Sequence, residues 1–126
     1  MKYFITGVCV MAAVILAVFF CNSYIDKTVD MLLESLDSSM AAADLGDWEA
    51  SQANADKFAD IWNSRVTYLT IFMAHGQLDP INAAVSRYAE LVQQRDYVQS
   101  KSEGVWLKAM LEHLVDMDKV TIGNIF

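Results

Sequence analysis

The sequence is short of the residues that break helices and of those that carry most catalytic chemistry. Its 126 residues include one proline, five glycines, two histidines and two cysteines. Both cysteines, Cys9 and Cys21, fall in or at the edge of an apolar N-terminal segment, which excludes thiol catalysis and zinc thiolate sites from the rest of the chain. A phosphate-binding glycine loop and a nucleophile beside a base are also absent from the sequence. We therefore expect no enzyme and no cofactor.

Positive charge is also scarce. All 16 acidic residues and eight of the nine basic ones follow Cys21, which gives that part of the chain a net charge of −8. A basic stripe that would neutralise phosphates is missing, which excludes nucleic acid and makes anionic lipid headgroups poor partners. The acidic residues predict a solvated surface, with basic proteins or cations left as partners.

Charge is missing altogether from residues 3–21, close to the ~20 apolar residues that span a bilayer. A cleaved secretory signal is one interpretation, but signals have shorter apolar cores that end in small residues. This run ends in Val18, Phe19 and Phe20, which favours an uncleaved anchor in the lipid bilayer. Lys2 precedes the run, so the positive-inside rule places the N-terminus in the cytoplasm. We predict a single-pass protein of the cell membrane, with residues 1–22 as N-terminus and anchor and residues 23–126 as an extracytoplasmic domain.

Apolar residues recur at steps of three and four along the extracytoplasmic part, which predicts helices. The first predicted helix starts at Ile25 and stops at Gly46. Asp47 is placed to cap a second helix, with Trp48 and Trp62 on its core stripe. No stretch has the alternation of a strand. The three tryptophans, Trp106 included, are interpreted as core residues.

The second and third helices are divided at "HGQLDP", residues 75–80. His75 is expected in the last turn of the second helix, where an imidazole stabilises the negative end of the helix dipole. Asp79 is a natural N-cap for the third helix. Pro80 would be its first residue, where a missing N–H costs nothing.

The segments "DWEAS" at 47–51 and "DYVQS" at 96–100 match in type, 49 residues apart. Asp96 is thus predicted to cap a fourth helix, as Asp47 caps the second. Trp48 and Tyr97 would fold back on the partner helix of each hairpin and fix its crossing angle. The elbow partly resembles that of tetratricopeptide repeats, although two units are fewer than a solenoid needs. We predict an all-α fold, with an N-terminal transmembrane helix followed by a four-helix bundle of two αα-hairpins.

Two further segments carry candidate functional residues. The best candidates for a metal site lie in "EHLVDMD", where Asp116 can share a helical face with His113 at three residues' distance or with Glu112 at four, although an exposed charged face is the favoured interpretation. The final residues Asn124, Ile125 and Phe126 either pack on the bundle, as we expect, or contact a partner.

Together these features resemble one family. They are, in order, the apolar segment, "GDW" at 46–48, Trp62, "HGQLDPI" at 75–81, Tyr88, the Asp96–Tyr97 pair, "LEHL" at 111–114 and "NIF" at 124–126. The chain resembles domain-of-unknown-function family 4363 over nearly its whole length. The resemblance implies a small, single-pass, all-helical extracytoplasmic protein of Gram-positive, clostridial-type bacteria without an established activity.

Two functions remain open on these grounds. The first is a membrane-anchored extracytoplasmic interaction module that docks on a membrane-protein partner or forms a homo-oligomer. The alternative is an extracytoplasmic sensor or binder of a small ligand or a cation.

Overall fold

The computed structural model describes the backbone of residues 1–72 and 75–125 and the side chains of residues 1–71 and 76–116. It contains four helices: α1 (Lys2–Asp44), α2 (Trp48–Phe72), α3 (His75–Gln93) and α4 (Tyr97–Ile125). The described residues contain no strand. The all-α prediction with four bundle helices and a long apolar N-terminal helix is confirmed.

The helices form a ring in which each packs against two neighbours, in the order α1, α2, α3, α4 and back to α1. Contacts between side chains show that neighbouring helices are antiparallel. Along α1 and α4, for example, Asp37 pairs with Lys108 and Asp44 with Lys101. The result is an up-and-down bundle of two hairpins, α1–α2 and α3–α4.

Helix α1 differs from its prediction because the apolar N-terminal segment and the first bundle helix are one continuous element. No proline or glycine interrupts the chain between Gly7 and Gly46, so nothing in this stretch breaks the helix. A separate helix start at Ile25 is therefore wrong, and the helix crosses the predicted domain boundary at residues 22 and 23 without interruption. At 43 residues, α1 is about 65 Å long.

The boundary between α2 and α3 also differs from its prediction. Helix α2 ends at Phe72, and His75 belongs to the first turn of α3 and not to the last turn of α2. Asp79 and Pro80 consequently lie inside α3, so their predicted roles as N-cap and first residue are wrong. Leu78 is fully buried, and this burial favours a helix that starts one turn before the proline. Pro80 removes only the bond to the Gly76 carbonyl, a cost that is tolerable so close to the helix start.

The core is built from one buried stripe on each helix. Its largest fully buried side chains are Trp62, Tyr88, Phe58, Ile25, Leu32, Leu36, Leu69, Leu78, Ile81, Leu107, Leu111 and Val92. Trp106 is not part of it, because its side chain lies at the surface of α4. Gly104 is buried and has no room for a side chain. A Cβ at this position would lie 3.1 Å from the Tyr88 ring and 2.6 Å from Met40 Sδ.

The two hairpins repeat one another at the offset of 49 residues suggested by their elbows. Corresponding buried pairs are Val29 and Leu78, Leu32 and Ile81, Leu36 and Val85, Ser51 and Ser100, Phe58 and Leu107, and Trp62 and Leu111. The same offset separates Ser39 from Tyr88, whose hydroxyl groups meet in the core. Equivalent positions of the two hairpins therefore build one common core.

Candidate functional site

Both hairpin elbows use the same backbone geometry. Two residues after the end of α1, Gly46 has a φ of 76°, and two residues after the end of α3, Arg95 has a φ of 58°. In each case the next residue is an aspartate, whose N–H closes a six-residue turn on the helix behind it, from Asp47 to Ala42 and from Asp96 to Leu91. This is the Schellman end of a helix. The elbows are thus structural elements of the hairpins.

The two aspartates also start the helices that follow. Asp47 Oδ1 accepts a hydrogen bond of 3.1 Å from the Ala50 N–H. Asp96 Oδ1 does the same for Gln99, again at 3.1 Å. Each carboxylate satisfies one of the N–H groups that a helix start leaves without a partner.

The two aromatic residues after these caps lie in different environments. Trp48 is half-buried and packs against the core. Tyr97 is exposed, and its hydroxyl donates to Asp44 Oδ1 at 2.7 Å, which joins the start of α4 to the end of α1. Tyr97 therefore connects the two hairpins, whereas the sequence predicted a contact inside its own hairpin.

Asp44 is the centre of a small polar junction at this end of the bundle. Its Oδ1 also accepts from Lys101 Nζ at 2.9 Å. The hydrogen bonds from Tyr97 and then from Lys101 lower the pKa of the Asp44 carboxyl below its ordinary value. Because the junction is exposed, we interpret it as a contact between the two hairpins that contributes little to the free energy of unfolding.

A second polar group is sealed inside the bundle, where α1, α2 and α3 meet. Ser39 Oγ donates to the Ser51 carbonyl and Ser51 Oγ to the Ser39 carbonyl, each at 2.8 Å. The Tyr88 hydroxyl donates to Ser39 Oγ at 2.7 Å. Burial is the main cause that raises the pKa of Tyr88 above its ordinary value. These buried hydroxyls bond to one another, as a packed polar contact requires.

Trp62 is fully buried in the core of α2. Its Nε1 donates to Asn82 Oδ1 on α3 at 2.9 Å. The indole thus fixes α3 against α2 in addition to filling space, as buried tryptophans commonly do.

The bundle has an opposite end, which lies beside the apolar segment of α1. Tyr24 on α1 and Tyr68 on α2 pack edge to face, with ring centroids 6.4 Å apart. Antiparallel helices advance equally in opposite directions. Phe72, four residues beyond Tyr68, therefore lies about level with Phe20, four residues before Tyr24. The end of α2 reaches the edge of the apolar segment.

Charge is distributed unevenly along α2. Its acidic residues, Glu49, Asp56 and Asp60, all lie in the half near the elbow, and Arg65 is the only charged residue from 61 to 72. In this second half Tyr68 is 57% and Ile71 71% exposed. Aromatic and apolar side chains with one cation are typical of the interface between membrane and water.

A cavity of about 450 Å³ opens at this end. Its lining is mostly apolar and consists of Phe20, Cys21, Ser23, Tyr24, Lys27 and Tyr68. The Arg65 guanidinium carbon lies 5.1 Å from the centre of the Tyr24 ring, at the distance of a cation–π contact. Arg65 thus lies against Tyr24, and Lys27, three residues after Tyr24 on α1, is part of the cavity lining. Sequence reasoning missed this site, although the half of α2 without acidic residues was a visible signal.

The candidate metal residues do not form one site. Glu112 and Asp116 line a groove of about 330 Å³ between α1 and α4, together with Asp30, whereas His113 is exposed and does not line it. No group of three or more histidines, cysteines or acidic residues that fits a metal ion occurs among the described residues. The side chains of His75, Asn124 and Ile125, and all of Phe126, lie outside the described residues.

Comparison with protein-family models identifies one family, described as a domain of unknown function (DUF4363), over residues 19–125. The chain belongs to this family. The DUF4363 match begins at the end of the apolar segment and covers all four bundle helices, including the cavity at the end of α2. Comparisons with curated proteins and with solved structures return no match.

Proposed function

We propose that this DUF4363 protein is a membrane-anchored extracytoplasmic interaction module that docks on a membrane-protein partner. The observation that carries the proposal is the continuity of α1. Its apolar part has an 18-residue window with a mean hydropathy of 2.7, of which none is buried in the bundle. The same helix then supplies Ile25, Leu32 and Leu36 to the core, so anchor and bundle form one stiff unit.

Stiffness gives the bundle a defined height and orientation. A bundle on a flexible linker samples many orientations, and its contacts carry an entropic cost on binding. On a continuous helix each face of the bundle keeps its distance from the bilayer. This arrangement suits a partner that is itself fixed in the membrane.

The outer face of α4 supports a partner of this kind. Val98 is 75% and Val105 56% exposed on that face, one above the other at two helical turns. By the α1–α4 register, Val105 lies level with Met40, 19 residues or about 28 Å beyond Cys21. We therefore propose a membrane protein with an extracytoplasmic part that reaches this height. A second copy of the chain is the competing occupant.

Site-specific photocrosslinking in native membranes tests the proposal. A photoreactive residue at Val98 or Val105 is expected to give one crosslinked product, and the same residue at Lys57, exposed on α2, is the matched control. A flexible Gly-Ser insertion between Cys21 and Ile25 should abolish the product. An adduct of twice the protein's own mass would indicate self-association. Recovery of monomer alone at both α4 positions would refute docking through this face.

The alternative, a cation binder, would use the groove lined by Asp30, Glu112 and Asp116, whose carboxylates do not form a group that fits a metal ion in this structure. Paired acidic residues at a groove attract divalent cations when their carboxylates converge. Thermal unfolding of the full chain with and without Ca²⁺ or Mg²⁺ tests it. The Asp116→Asn variant should lose any stabilisation, and a His113→Ala variant should keep it. An unchanged unfolding temperature of the wild type would refute the alternative.

A further inference from the structure

We propose that the cavity at the end of α2 binds an anionic phospholipid, whose phosphate is held by Lys27 and Arg65. The inference rests on the proposed membrane anchor, because it requires the cavity to face lipid. The net acidity of the domain argued against anionic lipids as partners, and the proposal assigns such a lipid to this one cavity.

The cavity lies where the apolar segment of α1 ends. The cavity is lined by Phe20 and Cys21 at the end of the apolar segment and by Lys27 six residues beyond it. Six residues of helix span about 9 Å. That distance matches the passage from acyl chains to headgroups, so the apolar part of the cavity lies at chain depth and Lys27 at phosphate depth.

The basic residues beside the cavity differ in their ion pairing from three others. Arg87, Lys101 and Lys108 each form an ion pair with a carboxylate. Lys27 and Arg65 form none within the described part of the chain; the closest polar contact of Arg65 is a long one, 3.4 Å to Thr28 Oγ1. The charges of Lys27 and Arg65 therefore remain available to an anion.

The acidic residues near Lys27 do not line the cavity. Asp30 lines the groove on the α4 side of α1. Asp26 Oδ1 is buried in the protein. Neither residue is part of the cavity lining. A phosphate in the cavity would therefore meet Lys27 and no carboxylate of the lining, with Arg65 behind the Tyr24 ring.

The cavity lining also contains hydrogen-bond donors. Tyr24 and Tyr68 both line the cavity. Unlike the hydroxyls of Tyr88 and Tyr97, which donate to Ser39 and Asp44, their hydroxyls donate to no side chain in the described residues. Tyrosine at the membrane interface keeps its ring in the apolar layer and its hydroxyl at the headgroups. Both phenols can therefore donate to a lipid phosphate.

Native mass spectrometry of the full-length protein in detergent provides the test. The delipidated protein is titrated with phosphatidylglycerol and, separately, with phosphatidylcholine. We expect a preference for phosphatidylglycerol that falls about fivefold in Lys27→Gln and in Arg65→Gln, since a basic residue near an anionic lipid surface contributes about 1 kcal/mol. Lys57→Gln removes the same charge from an exposed position remote from the cavity and should leave the preference unchanged.

Several outcomes would overturn the proposal. Equal retention of the two lipids would do so, as would a Lys57→Gln effect as large as that of Lys27→Gln. Displacement of the lipid by excess inorganic phosphate would assign the site to free phosphate instead.

Flotation with liposomes separates this proposal from the anchor on which it depends. Protein that floats but shows no preference for phosphatidylglycerol contradicts the lipid site alone. Protein that does not float contradicts the anchor.

Discussion

The hydroxyl contact between Tyr88 and Ser39 predicts a reversal in the effect of one mutation. In the wild type, Tyr88→Phe removes one hydrogen bond, and Ser39 keeps its contacts with Ser51. We expect a loss of about 1 kcal/mol in the free energy of unfolding. Ser39→Ala removes a bond to Ser51 and also leaves the buried Tyr88 hydroxyl without an acceptor, for a total of about 2–4 kcal/mol.

Combining the two changes should restore stability. In the Ser39→Ala background, Tyr88→Phe deletes the hydroxyl that has lost its partner. The double variant should then be about 1 kcal/mol more stable than Ser39→Ala alone, although the same Tyr88→Phe change destabilises the wild type. Denaturant unfolding of the full chain in detergent micelles, followed by tryptophan fluorescence, measures all four proteins, because the buried Trp62 reports on the core.

The control is the same chemical change at an exposed tyrosine. Tyr97→Phe removes the bond to Asp44, far from Ser39 in the hydrogen-bond network, and its effect should add to that of Ser39→Ala within about 0.5 kcal/mol. The reasoning is refuted if Tyr88→Phe costs the same whether residue 39 is serine or alanine.

Three further predictions concern the backbone, the packing and the pH dependence of the bundle. Arg95→Gly should stabilise the protein by about 1 kcal/mol in the same unfolding assay, because Arg95 has the positive φ that Gly46 adopts freely; a destabilisation would contradict this account. Gly104→Val should lower the free energy of unfolding by about 1–3 kcal/mol through overpacking against Met40 and Tyr88. An unchanged unfolding midpoint would contradict this close packing of α4 on α1 and α3. Because the pKa of Tyr88 is raised above 10.0 in the folded state, the unfolded phenol ionises first, so stability should fall as the pH rises above that value. Tyr88→Phe should flatten this alkaline slope, and an equal slope in both proteins would exclude the residue as its source.

The hairpin elbows were predictable from sequence because their determinants are local. A glycine stop, an aspartate cap and a matching segment 49 residues later are all visible in the chain, and their geometry depends on neighbours within a few residues. The ring of four helices follows from the buried stripes in the same way.

The start of α3 was not predictable from the same local signals. Asp79 and Pro80 form a favourable helix start, yet the helix begins at His75. We attribute the earlier start of α3 to the burial of Leu78 against the other helices. Such tertiary packing outweighs a local preference of about 1 kcal/mol.

The cavity at the end of α2 depends on contacts between distant parts of the chain. Arg65 approaches Tyr24 and Thr28 across two helices, a separation of 37 residues in the latter case. From composition the domain is simply acidic. Only the register between α1 and α2 reveals that Arg65 lies against Tyr24, beside the cavity that Lys27 lines.

The unbroken α1 also restricts how the length of this protein can vary. Each residue added to or deleted from a helix turns everything beyond it by about 100° and shifts it by 1.5 Å. A one-residue change near Asn22 would rotate the α4 face and the cavity to another side of the apolar segment, although every contact inside the bundle would survive. Changes of seven residues restore the facing to within about 20°. The orientation of the bundle around the apolar segment is therefore set by a residue count, and it can change without any substitution on the surface of the bundle.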